Sequence, residues 1–166
     1  MSATFENLRI LQSAEKVADE IWEQVGRWDE FARDVVGKQL ARAADSIGAN
    51  IAESFGRFHF GEKLQFLYYA RGSLFETKYW LNRTSQRQLL PDEQVQAFAA
   101  ELTGLARQLN SFAAGIKAQR KTGPKPSGEI RELSIPYEIE TFISTSNPLF
   151  EDDELTWLQT IPEKAR

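Results

Sequence analysis

The chain has 166 residues, 42% hydrophobic and 27% charged, which is the length of one domain with enough apolar side chains to bury a core. It has no cysteine, which excludes disulfides, thiolate catalysis and Cys-based metal sites and fits a reducing, cytoplasmic setting. The net charge of −4 excludes the overall basic character of a nucleic-acid binder, and it is unevenly placed: 15 Lys and Arg meet 15 Asp and Glu from Met1 to Arg120, whereas 5 meet 9 from Lys121 to Arg166.

Met1-Ser2-Ala3-Thr4-Phe5-Glu6 has no basic segment running into an apolar one, so no signal peptide is expected. No apolar stretch is long enough to span a bilayer, and no membrane partner is expected. A first helix is predicted from about Asn7, a candidate N-cap, to Val25, with Gly26 as its stop. Its stripe is Leu8, Leu11, Ala14, Val17, Ala18, Ile21, Trp22 and Val25, at spacings of three and four. A second helix opens near Asp29 and ends near Gly56, with Phe31, Val35, Leu40, Ala43, Ala44, Ile47, Ile51 and Phe55 as its apolar residues. Gly37 and Gly48 each weaken it by up to ~1 kcal/mol relative to Ala, and a kink or a close helix contact at Gly48 would account for that residue.

A third helix begins around Gly61-Glu62, with the stripe Leu64, Leu67, Tyr68, Arg71, Leu74, Phe75, Tyr79 and Asn82. Its aromatics, among them Phe66, Tyr69 and Trp80, outnumber what one buried face can hide, so a second face is expected to be covered. The fourth helix starts at Leu90-Pro91-Asp92-Glu93, with proline and acids in the first turn. Val95, Phe98, Leu102, Leu105, Leu109, Phe112 and Ile116 then follow as a heptad seam. The reading is all-α: an antiparallel up-down-up-down four-helix bundle over residues 1–120.

Residues 121–166 read as a linker and an irregular, acidic–aromatic extension. Lys121 to Gly128 is linker by composition, and Tyr137 to Ile143 alternates as an extended segment does. Leu149, Phe150, Leu155, Trp157 and Leu158 then surround four consecutive acids, a module able to form one or two helical turns. It could dock on a partner protein, on its own bundle or on a neighbouring subunit, since all three use the same anchors.

The informative polar stretch runs Ser46-Ile47-Gly48-Ala49-Asn50-Ile51-Ala52-Glu53-Ser54-Phe55-Gly56-Arg57, followed by Ala70-Arg71-Gly72-Ser73-Leu74-Phe75-Glu76. With Phe5-Glu6-Asn7-Leu8 and Arg42-Ala43-Ala44-x-Ser46-Ile47, it resembles the 23S rRNA intervening-sequence proteins over Phe5 to about Lys117. The resemblance implies a four-helix bundle that assembles as a homopentamer. The related accessory proteins of diversity-generating retroelements are also pentamers, and bind a reverse transcriptase and nucleic acid through basic surfaces. This chain departs from the pattern at Gly48 and Ser54, where the family usually has Pro and Gly. It also has Phe58-His59-Phe60-Gly61-Glu62 where that turn is often rich in Lys and Arg.

Arg42, Asn50, Glu53, Arg71 and Glu76 are expected to form a structural network fixing helix register, because buried charges must be paired. Arg57, Phe58, His59, Phe60, Lys63, Tyr69 and Trp80 are the candidate oligomer or binding surface. Stacking on nucleic-acid bases is the alternative there, with Arg57 and Lys63 as the only cations of the stretch. The lone histidine, His59, has no Glu three residues before it for a di-metal bundle and no nucleophile context for a hydrolase. No catalytic residue, metal or cofactor is therefore expected. The functional expectation is a non-enzymatic, homo-oligomeric adaptor or accessory protein with a protein partner. The alternative is a nucleic-acid-binding accessory factor.

Overall fold

A computed structural model describes residues 8–122 and 148–162 of the chain. Every regular element among them is helical: α1 (Arg9–Gly26), α2 (Glu30–Ala32), a π-helical segment (Arg33–Gly37), α3 (Lys38–Gly56), α4 (Phe60–Gln86), α5 (Asp92–Thr122) and, after the connection, α6 (Asp152–Gln159). The predicted cap Asn7 and the alternating segment 137–143 lie outside the described residues, and Leu8 occupies the N-cap position of α1. Helix α5 runs two residues past Arg120, where the linker was expected to begin.

α2, the π segment and α3 follow one another without leaving helical backbone. Asp29 starts this rod, its carboxylate accepting the Ala32 N–H at 3.0 Å. The Ser54 hydroxyl donates to the Lys63 carbonyl at 2.8 Å, pinning the end of α3 to the first turn of α4. At the other end of α4, Gln88 adopts a φ of 56°. Leu89 N–H then reaches Thr84 C=O (2.9 Å) and Gln88 N–H reaches Ser85 C=O (3.0 Å), the two bonds of a Schellman stop. The Ser85 hydroxyl bridges onward to Asp92 at 2.9 Å, where α5 begins.

α1 packs on α3 and α5, α3 on α4, and α4 on α5, so the long helices share one core. The α5 seam is buried as its heptad predicts: Val95, Phe98, Leu102, Leu105, Leu109 and Ile116 face inward and Phe112 is half-buried. Elsewhere the predicted stripes need correction. Trp22 is exposed on α1, Phe31, Val35 and Phe55 on the α2–α3 rod, and Tyr79 on α4. Ala32 and Val36 take the inward positions on the rod instead, in line with the predicted Leu40, as Thr77, Lys78 and Leu81 do on α4. The π segment explains the first set, because i→i+5 bonding turns the chain less per residue and holds a run of four-residue steps on one face. Of the kink or close helix contact expected at Gly48, the contact is present, with Ala14 and Leu11 of α1. The π segment ends at Gly37, where a Cβ would lie 2.5 Å from Val25 Cγ1. Gly48 sits against Ala14 and Leu11 with room for a methyl group, its nearest contact being 3.7 Å.

Candidate functional site

The most elaborate polar construction lies where residues 148–162 rest on α4 and α5. Leu149, Phe150 and Leu158 are buried in the same core as the long helices, with Leu155 and Ile161 packed at its edge. α6 begins with a capping box, in which Glu151 and Glu154 each accept a backbone N–H from the other's end of the first turn. Glu154 uses its second carboxylate oxygen to pair with Arg71 of α4.

Arg71 makes a second bond, donating through Nε to the Leu149 carbonyl at 2.6 Å. Its guanidinium lies 4.7 Å from the centroid of the Phe75 ring and 5.5 Å from that of Phe150. Phe75 stacks against Phe150 (5.7 Å) and against Trp157 (5.3 Å). Two turns after Arg71, Lys78 is fully buried and donates to Asn82 (2.9 Å) and to the Thr160 carbonyl (2.6 Å) at the end of α6. These partners are neutral, and burial pushes the Lys78 ammonium pKa down to about 8. From α5, Asn110 holds the backbone of Phe150 on both sides: its Nδ2 donates to the carbonyl at 2.8 Å and its Oδ1 accepts the N–H at 2.7 Å. Gln96 donates to the Gln159 carbonyl at 3.1 Å.

The tail anchors predicted from sequence thus converge here, with Trp157 still 42% exposed. Of the groove that receives them, Arg71 and Phe75 are named in the sequence reading, Arg71 as part of a network within the bundle. Lys78 was missed, although its place seven residues beyond Arg71 is a signal that could have put it on the same helix face. Asn110, next to the seam residue Leu109, had no such signal.

The five residues expected to form one polar network are dispersed. Arg42 donates to Gln39 on an exposed surface (2.7 Å). Asn50 donates to the Ser46 carbonyl (2.8 Å) and, more weakly, to Ser73 across the α3–α4 interface (3.4 Å). Glu53 pairs with Arg57 one turn on, at the surface. Glu76 is exposed. Only Arg71 is drawn into a tertiary cluster, with the C-terminal segment and not with Glu53.

Part of the predicted aromatic surface does assemble, around the α3–α4 turn. Phe58 is 88% exposed and meets His59 edge-on. Arg57 covers Phe66 at 4.6 Å, and Phe66 meets Tyr69 edge-on. Gln65 donates to the Tyr69 hydroxyl at 2.8 Å. Phe60 and Lys63 are half-buried, Phe60 against the core. Trp80 is not part of this cluster: it follows Tyr69 by eleven residues, about 16 Å along the helix, and pairs with Tyr79. Between α1 and α3 runs an open groove of about 480 Å³ lined by small residues and by Glu15, Asp19 and Asp45. Burial and then the charge of Asp19 raise the Asp45 carboxyl above its ordinary range.

Among the described residues, no three His, Cys, Asp or Glu are grouped to hold a metal ion, and no helix is long and apolar enough to cross a membrane. Compared with known protein families, residues 6–111 match the family described as 23S rRNA-intervening sequence protein. The chain belongs to that family. No curated protein matches the chain. The part matching the intervening-sequence family contains all the groove residues, Arg71, Phe75, Lys78, Gln96 and Asn110, whereas the segment filling the groove lies beyond it.

Proposed function

We propose that this chain is a non-enzymatic adaptor of the cytoplasm: an antiparallel up-down-up-down four-helix bundle that assembles with copies of itself and engages a protein partner. Short connections between consecutive helices, and the contact that brings α5 back to α1, support the bundle reading. The observation that carries the assembly reading is the exposure of large apolar side chains away from the C-terminal segment: Trp22 at 67%, Phe31 at 78% and Phe58 at 88%. A contiguous apolar patch marks an association surface, and these side chains are the candidates to build one. A pentamer is the subunit number the family resemblance implies.

Light scattering on the full-length protein tests this. One closed oligomer is expected, and Trp22→Glu with Phe31→Glu should shift it towards the monomer without loss of helical circular dichroism. A full-length chain that stays monomeric at tens of micromolar would overturn the assembly reading. The nucleic-acid alternative rests on the Phe58, His59, Phe66 and Tyr69 cluster, whose Arg57 is already engaged by Glu53. Co-elution of a short mixed-sequence RNA, lost steeply as salt rises, would replace the adaptor reading with that one.

A further inference from the structure

The α4 face beneath the C-terminal segment has the geometry of a clamp of set length. Arg71 and Lys78 are seven residues apart, about 10 Å along the helix, and α6 has 8 residues, about 12 Å. Arg71 therefore grips the start of α6, through the Leu149 carbonyl and Glu154, while Lys78 grips its end, through the Thr160 carbonyl. A cation at the carboxyl end of a helix is favoured by the free carbonyls there. Phe75, between the two cations, is sandwiched by aromatics that are themselves seven residues apart, Phe150 and Trp157.

Most of the polar grip falls on backbone. The bonds from Arg71, Asn110, Lys78 and Gln96 reach main-chain groups of Leu149, Phe150, Thr160 and Gln159. Side-chain identity is read at the buried Leu149, Phe150 and Leu158, at the Trp157 stack and at Glu154. The occupant needs no help from the groove to start its helix, because the Glu151–Glu154 box is internal to it. Of its four acids Glu154 meets Arg71, while Glu151, Asp152 and Asp153 are exposed. These contacts define the pattern a competing peptide would have to carry. The resident occupant follows α5 in the chain after residues 123–147, so it can leave without unthreading a core helix.

We propose that the α4–α5 groove is a peptide-binding site for a two-turn, acidic–aromatic amphipathic helix of a partner protein, which displaces residues 148–162 to enter. The proposal rests on the adaptor reading and names the class of partner. Leaving the groove empty would uncover Phe75, Lys78 and the core beneath, so the groove exchanges occupants and does not stand open. The resident segment, on the same chain, competes intramolecularly. A partner therefore gains from binding several groups of an oligomer at once.

The probe is a fluorescein-labelled synthetic peptide of residues 148–162, followed by anisotropy against the full-length protein. A full-length Phe150→Ala/Leu158→Asp variant, with its own segment weakened, should bind the peptide at least ten-fold more tightly than the wild type. Adding Arg71→Ala and Asn110→Ala should remove that gain, and a peptide with its four acids changed to lysine should bind at least ten-fold more weakly. Equal binding by variant and wild type, or by both peptides, overturns the proposal. Should the variant not fold, hydrogen exchange on the wild type decides. The Phe150 and Thr160 amides should exchange at least a hundred-fold faster than those in the middle of α4, whereas exchange only at the rate of global unfolding means the segment never leaves. Light scattering at saturating peptide should show unchanged assembly; dissociation of the oligomer would instead assign the groove to the segment of a second copy. Assembly without peptide is measured separately, so failure of the adaptor reading is told apart from failure of the groove.

Discussion

Lys78 and Arg71 occupy one helix face and solve the same problem differently. Lys78 is buried among neutral partners, and its pKa is pushed down to about 8 by desolvation. Below that pH the amine is charged whether the chain is folded or not, and the desolvation penalty is present in full. As pH rises from about 8 towards the ordinary value of 10.5, the unfolded chain holds the proton that the folded one has released, and stability increases. The urea midpoint of the wild type should therefore rise between pH 7.5 and 9.5 relative to Lys78→Met, which lacks the titration. At pH 7 the two should agree within about 1 kcal/mol, since an isosteric apolar replacement of a buried cation is often neutral. Arg71 is different because its planar fork serves two acceptors and two rings together. Arg71→Lys should release the C-terminal segment nearly as fully as Arg71→Ala, a loss of roughly 1–3 kcal/mol. Chymotrypsin cleavage at Phe150 and Trp157, timed for each variant, reads that release.

At the scale of elements, the sequence was legible where periodicity was unbroken and misleading where it was not. α5 has an uninterrupted heptad, and its buried face agrees with the pattern. Along the α2–α3 rod the apolar residues Phe31 and Val35 imitate a stripe, yet the π turn rotates Ala32 and Val36 inward instead. No residue type announces such a turn; it coincides with a tertiary contact, the close approach of Gly37 to Val25. Gly37→Ala should destabilise by roughly 1–3 kcal/mol through overpacking, with partial recovery in Val25→Ala/Gly37→Ala. Gly48→Ala, with a nearest contact of 3.7 Å, should gain up to ~1 kcal/mol from helix propensity. The stop of α4 gives a third test. Gln88 holds a left-handed conformation that glycine adopts without strain, so Gln88→Gly should raise stability by up to ~1 kcal/mol in thermal melts.

For the whole molecule, the tail's anchors were readable but its destination was not. Three docking targets share the same hydrophobic requirements, and only the placement of Asn110 and Lys78 in space selects the chain's own α4–α5 face. The assembly proposed through Trp22 and Phe31 would be an apolar association, so the oligomer should persist from about 50 mM to 500 mM salt, as light scattering can follow; counterion-linked binding would fade over that range.

The docked segment also governs how the protein behaves in bulk solution. Residues 148–162 contain four acids and no Lys or Arg, while the chain as a whole carries −4, so the remainder is electrically neutral. Removing the segment would strip away the colloidal repulsion between molecules and, in the same act, bare the apolar face around Phe75. A shortened protein should therefore be sparingly soluble near neutral pH through lost charge, in addition to the loss of the core residues Leu149, Phe150 and Leu158. Solubility would return on adding acidic residues elsewhere on its surface, and binding studies on a shortened chain need that charge restored first.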